Sequence, residues 1–224
     1  MEIPVLHLDE DILVIAKPAG LRSTPDGWDP DLPHLRSVLE PAYGRLWLVH
    51  RLDQDASGVM VLARNAAAHR ALSRQWERRE VEKIYHAIVQ GEPEWQRHTV
   101  EAPLRANVGR RKRTVVHPKG QPAQTMLRVI RRLAGYTLIE ARPVTGRRHQ
   151  VRAHLYHAGH PIVADPLYGP GPRPGAPIAR LALHARRLVF RHPRTGEAVR
   201  FTAPHPEGFA TALAQLEKWQ ALLA

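Results

Sequence analysis

One short stretch of the chain, His50 to Gly58, combines side chains that could do chemistry with a turn that could present them. In it Asp53 stands two residues after Arg51, and the apolar run Val59 to Ala63 comes directly behind. The run predicts a buried strand, and a loop that leads into such a strand can aim a carboxylate into a cleft. We therefore take Asp53 as the candidate catalytic residue, whose carboxylate could act as a nucleophile or as a base.

Other catalytic and metal-binding patterns are missing from the sequence. The chain has no cysteine, which excludes disulfides and thiolate metal sites. It has 14 histidines, but His154, His157 and His160 lack the spacing and the nearby glutamate of a zinc-binding helix. The sequence also contains no Gly-x-Ser-x-Gly elbow, P-loop or dinucleotide fingerprint. We therefore expect no metal, and no simple acyl transfer, nucleotide hydrolysis or hydride transfer.

The charge balance indicates a polyanionic partner. The chain carries 33 Lys and Arg against 21 Asp and Glu, a formal net charge of +12. Clustered cations gain free energy by releasing counterions from phosphates, so nucleic acid is the first expectation. The segment from Arg105 to Lys119 is basic and poor in large apolar residues, and at its centre stand Arg110, Arg111, Lys112 and Arg113. We interpret it as an exposed arm or hairpin tip that contacts RNA, with a plain exposed loop as the alternative.

Short strands joined mostly by turns surround these residues. The patterns predict strands at 5–8, 12–16, 81–89, 125–132, 136–143, 181–190 and 198–201. They predict helices at 32–39, 66–79, 147–157 and 209–223, the first of them ending before Pro41. Strands outnumber helices and hairpins dominate, so the predicted fold is α+β, with a mixed, mostly antiparallel central sheet, flanking helices and a catalytic cleft.

The length and composition favour one catalytic unit. A chain of 224 residues with 43% hydrophobic content can bury one substantial core, so we expect a single catalytic domain over residues 1–224. Acidic residues stand where a signal peptide would be basic, and no apolar run reaches membrane-spanning length. We therefore expect a cytoplasmic protein without membrane contact, and a monomer without an obligate protein partner.

Three ordered motifs resemble those of the RluA-type pseudouridine synthases. The stretch His50-Arg51-Leu52-Asp53, followed by Ser57-Gly58, resembles the segment around that family's catalytic aspartate. Lys83-Ile84-Tyr85 resembles the motif of its active-site tyrosine, and Gly146-Arg147-x-His149-Gln150-Val151-Arg152 that of its active-site arginine. Further family-like motifs lie at 11–20, 159–169 and 183–185, so the resemblance covers the chain from about residue 7 to about residue 209.

The resemblance implies a pseudouridine synthase fold and the isomerisation of uridine to pseudouridine in structured rRNA or tRNA. The reaction needs no cofactor, because it involves no net redox change and no external reactant. Asp53 is implied to attack C1′ of the ribose or to take the C2′ proton, and Arg152 to pair with Asp53 and keep it ionised. Tyr85 would stack on the uracil or handle the C5 proton.

The resemblance also implies residues that contact RNA. The target base must leave its stack before it can react. Arg51 is the candidate to fill the gap, and a structural salt bridge beneath the loop is the alternative for it. The residues expected to make further RNA contacts are Arg147, His149 and Gln150.

The chain departs from the family's usual motifs at two positions. Ala56 and Arg148 stand where threonine is usual, and loss of the hydroxyl at position 56 removes a turn hydrogen bond of about 1 kcal/mol. Many relatives carry an N-terminal RNA-binding domain of the S4 type, which we do not expect here because the first predicted hairpin begins within the first ten residues. A catalytically silent RNA-binding or assembly protein of the same fold, and a nucleoside hydrolase, remain as alternatives.

Overall fold

The structure is a computed structural model that describes residues 2–27, 29, 31–171 and 175–223. The strands in these residues are β1 (Val5–Leu8), β2 (Ile12–Lys17), β3 (Trp47–Leu48), β4 (Ser57–Ala63), β5 (Glu82–Gln90), β6 (Arg97–Glu101), β7 (Leu104–Val108), β8 (Arg113–Val116), β9 (Gln124–Leu133), β10 (Tyr136–Pro143), β11 (Leu183–Arg191) and β12 (Ala198–Thr202). The helices are α1 (Leu35–Tyr43), α2 (Ala66–Glu77), α3 (Gln150–His157) and α4 (Glu207–Leu223). The predicted α+β class is confirmed.

The residues group into two compact units. The first comprises residues 1–83 and 185–204, and the second comprises residues 84–184 and 205–224. That residues 1–224 act as a single catalytic domain stays a prediction.

In the first unit, strands β1, β2 and β4 are neighbours in that order, β3 pairs with β4, and β12 pairs with β11. The pairings β1–β2, β2–β4, β3–β4 and β11–β12 are antiparallel. The apolar residues of β2 and β4 are fully buried along nearly their whole length rather than at alternate positions. Such a continuous apolar run is what a strand covered on both faces requires, and it places the candidate loop at the start of a rigid strand.

In the second unit, the strand order is β5, β10, β9, β6, and the three pairings are antiparallel. Strands β7 and β8 form a separate two-stranded hairpin. Helix α4 buries Phe209, Ala212, Leu213 and Leu216, which recur at the spacing of one helical face. Among the described residues, no helix is long and apolar enough to cross a membrane.

Both ends of α1 and the start of α4 differ from the predicted boundaries, and α2 ends two residues before its predicted end. Helix α1 begins at Leu35 because the side chain of His34 accepts a hydrogen bond from the backbone N–H of Ser37 and caps the helix there. It continues past Pro41, and Gly44 N–H still donates to Glu40 O at 2.9 Å. Helix α4 begins two residues before the predicted start, at Glu207.

Helix α3 begins at Gln150 rather than at residue 147. His149 has a left-handed φ of 51°, which no residue inside a right-handed helix can adopt.

Strands β3 and β6 were not predicted. Of the five residues of β6 only Val100 is buried, so that strand carries no apolar alternation to detect.

Candidate active site

Asp53 lies in the turn that leads into β4, in the first unit. The residue is half-buried, and its carbonyl accepts a hydrogen bond from Ala56 N–H at 3.2 Å. Leu52 and Ala56, on either side of the turn, are buried. The carboxylate-bearing residue is therefore held between two buried anchors, and the backbone closes the turn without the hydroxyl that Ala56 lacks.

A second segment of the same unit fixes the backbone on both sides of Asp53. Before it, Ser23 Oγ donates to Leu52 O at 2.8 Å and accepts from Leu52 N–H at 3.1 Å. After it, Gln54 O accepts from Lys17 Nζ at 3.0 Å and from Gly20 N–H at 2.9 Å. Lys17 is almost completely buried, and its ammonium also donates to two nearby carbonyls. The segment 17–23 thus forms a support for the loop, a role that sequence analysis missed.

The two residues before Leu52 differ in their surroundings. Arg51 is exposed and makes no hydrogen bond or ion pair with any residue that the structure describes, so the alternative of a structural salt bridge finds no partner there. His50 is packed: its ring stacks on Trp76 at 4.8 Å between centroids, and Nε2 accepts from Val61 N–H at 3.1 Å. Loss of hydration, with repulsion from Lys83, lowers the pKa of His50 to about 3. His50 is therefore a neutral acceptor that anchors the loop to β4.

The second unit carries the other two candidate catalytic residues. Tyr85 lies on β5, half-buried, opposite Ala141 of β10. Arg152 lies on α3 and is buried. Its Nε and Nη2 donate to the two carboxylate oxygens of Asp165, each at 2.8 Å.

This Arg152–Asp165 pair has further partners in the same unit. Asp165 is fully buried, and its Oδ1 also accepts from the N–H groups of Leu167 and Tyr168. The guanidinium carbon of Arg152 lies 5.2 Å from the ring centroid of Tyr168. The position of Arg152 is thus determined by a fork-like ion pair and an aromatic ring. Sequence analysis named Asp165 and Tyr168 only within a family-like motif and assigned them no role.

The side chain of Gln150 uses both its oxygen and its nitrogen in hydrogen bonds within the protein. Its side-chain oxygen accepts from Thr145 Oγ1 at 2.6 Å and from Arg147 N–H at 3.0 Å. Its amide nitrogen donates to Gln124 O and Thr125 Oγ1, at 2.8 and 2.9 Å. Gln150 is also buried. Gln150 thus fixes the loop before α3 to β9, and its contact with RNA stays a prediction.

The remaining predicted RNA contacts lie toward the surface of the second unit. Arg147 is half-buried and uses Nε to bind Pro122 O at 3.2 Å. His149 is half-buried and its Nδ1 lies 3.2 Å from Tyr168 Oη. The basic segment forms the β7–β8 hairpin, with an exposed tip that consists of Gly109, Arg110, Arg111 and Lys112. The predicted hairpin tip is present, whereas its contact with RNA stays a prediction.

One group of side chains in the first unit has the composition of a metal site. Ligand atoms of Asp9, Asp11 and His192 lie within 4.8 Å of one another. Arg194 already binds Asp11 through Nε at 2.5 Å, and that hydrogen bond lowers the pKa of the Asp11 carboxyl. His7 binds Asp9 at 2.6 Å. The carboxylates are thus engaged by protein donors, and this chemistry is that of an ion-pair cluster rather than a metal centre.

Comparisons with known proteins agree on one family. A family model described as RNA pseudouridylate synthase matches residues 11–157. Ribosomal large subunit pseudouridine synthase C of Escherichia coli K12 is 39% identical over 223 residues, which are 95% of this chain and 69% of that protein. Ribosomal large subunit pseudouridine synthase D of Haemophilus ducreyi is 35% identical over 95% of this chain and 70% of that protein. The structure of human RNA Pseudouridylate Synthase Domain Containing 4 matches with a TM-score of 0.78 and 26% identity, over 95% of this chain and 92% of that one.

Proposed function

This chain belongs to the RNA pseudouridylate synthase family, and we propose that it converts uridine to pseudouridine in the RNA of the large ribosomal subunit. Its family makes it an isomerase that acts on RNA. One observation carries the proposal: the matched segment, residues 11–157, includes Asp53, Tyr85 and Arg152. All three residue types that the chemistry needs are therefore present in the part of the chain that defines the family.

Ribosomal RNA is the favoured substrate because of the relatives. Two of them bear names that specify the large ribosomal subunit, and each aligns with 95% of this chain. The formal net charge of +12 suits any folded RNA and does not separate rRNA from tRNA. The choice therefore depends on the relatives, and a map of the modified sites is its direct test.

In the proposed reaction, Asp53 acts on the ribose while the glycosidic bond breaks. The carboxylate attacks C1′ or takes the C2′ proton as positive character builds at the sugar, which an anion stabilises. The C1′–N1 bond breaks, the uracil turns, and C5 bonds to C1′. On the first route this bond formation breaks the Asp53–C1′ bond, and on the second route Asp53 then returns the proton to C2′. The C5 proton then leaves and N1 carries a proton, so no atom is gained or lost overall. The contacts that fix Leu52 and Gln54 support this role, since they limit the positions open to Asp53.

The other candidate residues take complementary parts. Tyr85 stacks on the uracil or handles the C5 proton. Arg152 pairs with Asp53 and keeps it ionised, while Asp165 binds Nε and Nη2 of the same guanidinium. Arg51 fills the gap that the flipped base leaves in the RNA, a role consistent with its exposed side chain.

Two measurements test the proposed function. Pseudouridines are first mapped in total RNA from cells with and without the protein, which identifies the RNA and the uridine. A transcript that contains this site, labelled with tritium at C5 of uridine, then reports turnover as released tritium. We expect Asp53→Asn to lower the rate by roughly three orders of magnitude or more, the scale on which loss of a catalytic carboxylate acts.

Asp55→Asn is the matched control, because it makes the same chemical change two residues away in the same turn. It should retain most of the rate. Full activity of Asp53→Asn would contradict the assigned role, and a modified site in tRNA alone would contradict the assigned substrate. Free uracil as product would indicate a hydrolase instead, and wild-type binding without tritium release would indicate a silent RNA-binding protein.

A further inference from the structure

A second basic surface lies at the base of the β7–β8 hairpin, away from its tip. There the second unit contains a cleft of about 370 Å³, which we call the basal cleft. Four of its lining side chains are cationic: Arg105, Lys119, Arg147 and Arg148. No Asp or Glu lines the basal cleft among the residues that the structure describes. Part of its wall is rigid backbone, because Gly120 lies so close to the backbone of Leu104 that a Cβ would approach to 2.6 Å.

The four cations keep most of their donors unused. Arg105 and Lys119 are exposed, and their side chains make no hydrogen bond or ion pair within the described parts of the chain. Among the acceptors that the structure describes, Arg147 binds only Pro122 O, through Nε. Within the same residues, Arg148 binds only Asn107 Oδ1 and Lys112 O, both through Nη1.

Other arginines of the same unit are neutralised by carboxylates. Arg128 and Arg142 bind Glu140, and Arg131 binds Glu217. The basal cleft therefore differs from its surroundings, since its like charges converge without a protein counter-ion. An anion that bound there would relieve their mutual repulsion and use their free donors.

We propose that the basal cleft binds a backbone phosphate of the RNA substrate. The proposal rests on the proposed function only in that RNA is the substrate. Arginine and lysine are the residues that most often bind RNA phosphates, and such contacts fix the register of the nucleic acid without reading its sequence. The basal cleft thus supplies an anchoring point in addition to the hairpin tip, and it groups Arg105 and Lys119 with Arg147 and Arg148 around one phosphate.

Arg148 contributes both charge and a planar set of donors to the basal cleft. A threonine at this position would offer neither. Arg148 belongs to the loop before α3 and binds the hairpin at Asn107 and Lys112, so one guanidinium both lines the basal cleft and joins this loop to the hairpin. We therefore assign Arg148 as the residue that strengthens phosphate binding here.

The first test removes charge from the basal cleft. The probe is the rRNA transcript that carries the mapped uridine, and binding to the full chain is measured between about 50 and 300 mM KCl. The double variant Arg105→Gln, Lys119→Gln should raise Kd about tenfold and reduce the slope of log K against log salt by about one. The single-turnover rate at saturating protein should stay within twofold, because the basal cleft positions RNA and takes no part in the chemistry.

The matched control is Arg97→Gln, Lys218→Gln, which removes the same charge from exposed positions on β6 and α4. If this control weakens binding as much as the cleft variant, the effect is one of net charge and the proposal fails. If the cleft variant binds like wild type while uridine is still modified, the proposal also fails and the proposed function stands. If wild type neither modifies nor binds any RNA, the proposed function itself fails.

The second test separates the charge of Arg148 from its contact with the hairpin. Arg148→Thr removes the charge together with both hairpin contacts. Asn107→Gly removes one hairpin contact without a change of charge and permits the positive φ of 60° at that position. We expect Arg148→Thr to weaken binding several-fold and lower the salt slope, and Asn107→Gly to leave the salt slope unchanged. Equal salt slopes for both variants and wild type would contradict the assignment of Arg148.

Discussion

Arg152 shows how one residue depends on a partner far from it in sequence. Its guanidinium and the Asp165 carboxylate are both almost fully excluded from solvent, at 4% and 0% side-chain exposure. A buried charge is tolerated only when a close counter-ion and hydrogen bonds replace its hydration. Asp165 supplies two of these hydrogen bonds, and its own Oδ1 is shared with two backbone N–H groups. We therefore regard Asp165 as a positioning residue for Arg152.

We expect Asp165→Asn to destabilise the protein by about 3 to 5 kcal/mol, because it removes the carboxylate charge that is paired with the buried Arg152 guanidinium. Urea denaturation followed by circular dichroism measures the change. Glu217→Gln is the control, since it breaks the exposed Arg131–Glu217 pair and should cost no more than about 1 kcal/mol. Equal losses for the two variants would show that burial does not govern the energy of the Arg152–Asp165 pair.

Among the secondary-structure elements, β4 determines where the Asp53 loop ends. Gly58, the second residue of β4, has a φ of 127°, and a Cβ on it would lie 2.3 Å from Ala185 O and 2.5 Å from Ala185 N. No side chain fits at that distance, because the obstructing atoms are backbone and cannot rotate away. The glycine of the Ser57-Gly58 motif is thus required for the close approach of two backbone segments.

Gly58→Ala should lower the free energy of unfolding by roughly 3 kcal/mol and slow tritium release, since β4 must shift and take the Asp53 loop with it. Thermal unfolding and the tritium assay measure the two effects. Gly27→Ala is the control, because its added Cβ meets no atom within 4 Å and its backbone is not left-handed. An unchanged thermal midpoint for Gly58→Ala would contradict the close approach of Gly58 and Ala185.

At the scale of the whole molecule, folding is linked to protonation of packed histidines. Loss of hydration lowers the pKa of His50 from 6.5 to about 3 in the folded protein, and burial also lowers the pKa of His154. Between pH 6.5 and about 3 the unfolded chain binds a proton at His50 that the folded chain does not. The contribution of neutral His50 to the free energy of unfolding is therefore fully present above about pH 6.5 and is lost as the pH falls toward 3.

We expect the urea midpoint of the wild type to fall between about pH 7 and pH 5, and to fall less in His50→Gln. Glutamine keeps an acceptor for Val61 N–H but does not titrate in this range. The measurement compares each protein at low pH with its own value at neutral pH, so a uniform loss of stability in the variant does not matter. The same pH dependence in both proteins would contradict the lowered pKa of His50.

Local patterns determined most of the secondary structure and part of the candidate site. The α+β class, the first hairpin, the strands over 124–133 and 136–143 and the basic β7–β8 hairpin follow from alternation, turn residues and charge over a few neighbouring positions. Asp53 was found for the same reason, since a carboxylate, a turn and an apolar run are adjacent in the chain. The start of α3 was wrong because a single left-handed residue, His149, leaves no signal in the helical periodicity.

Only the tertiary structure decided which distant groups meet. Asp165 is 13 residues from Arg152, Lys17 is 37 residues from Gln54, and no sequence spacing encodes either contact. Burial of Gln150 among four protein partners, and the meeting of unpaired cations in the basal cleft, likewise depend on how strands and helices pack. The physical reason is that backbone sterics and contacts between neighbouring side chains act over only a few residues along the chain. Charge compensation and desolvation instead depend on distances in space between residues, which are set only after the chain has folded.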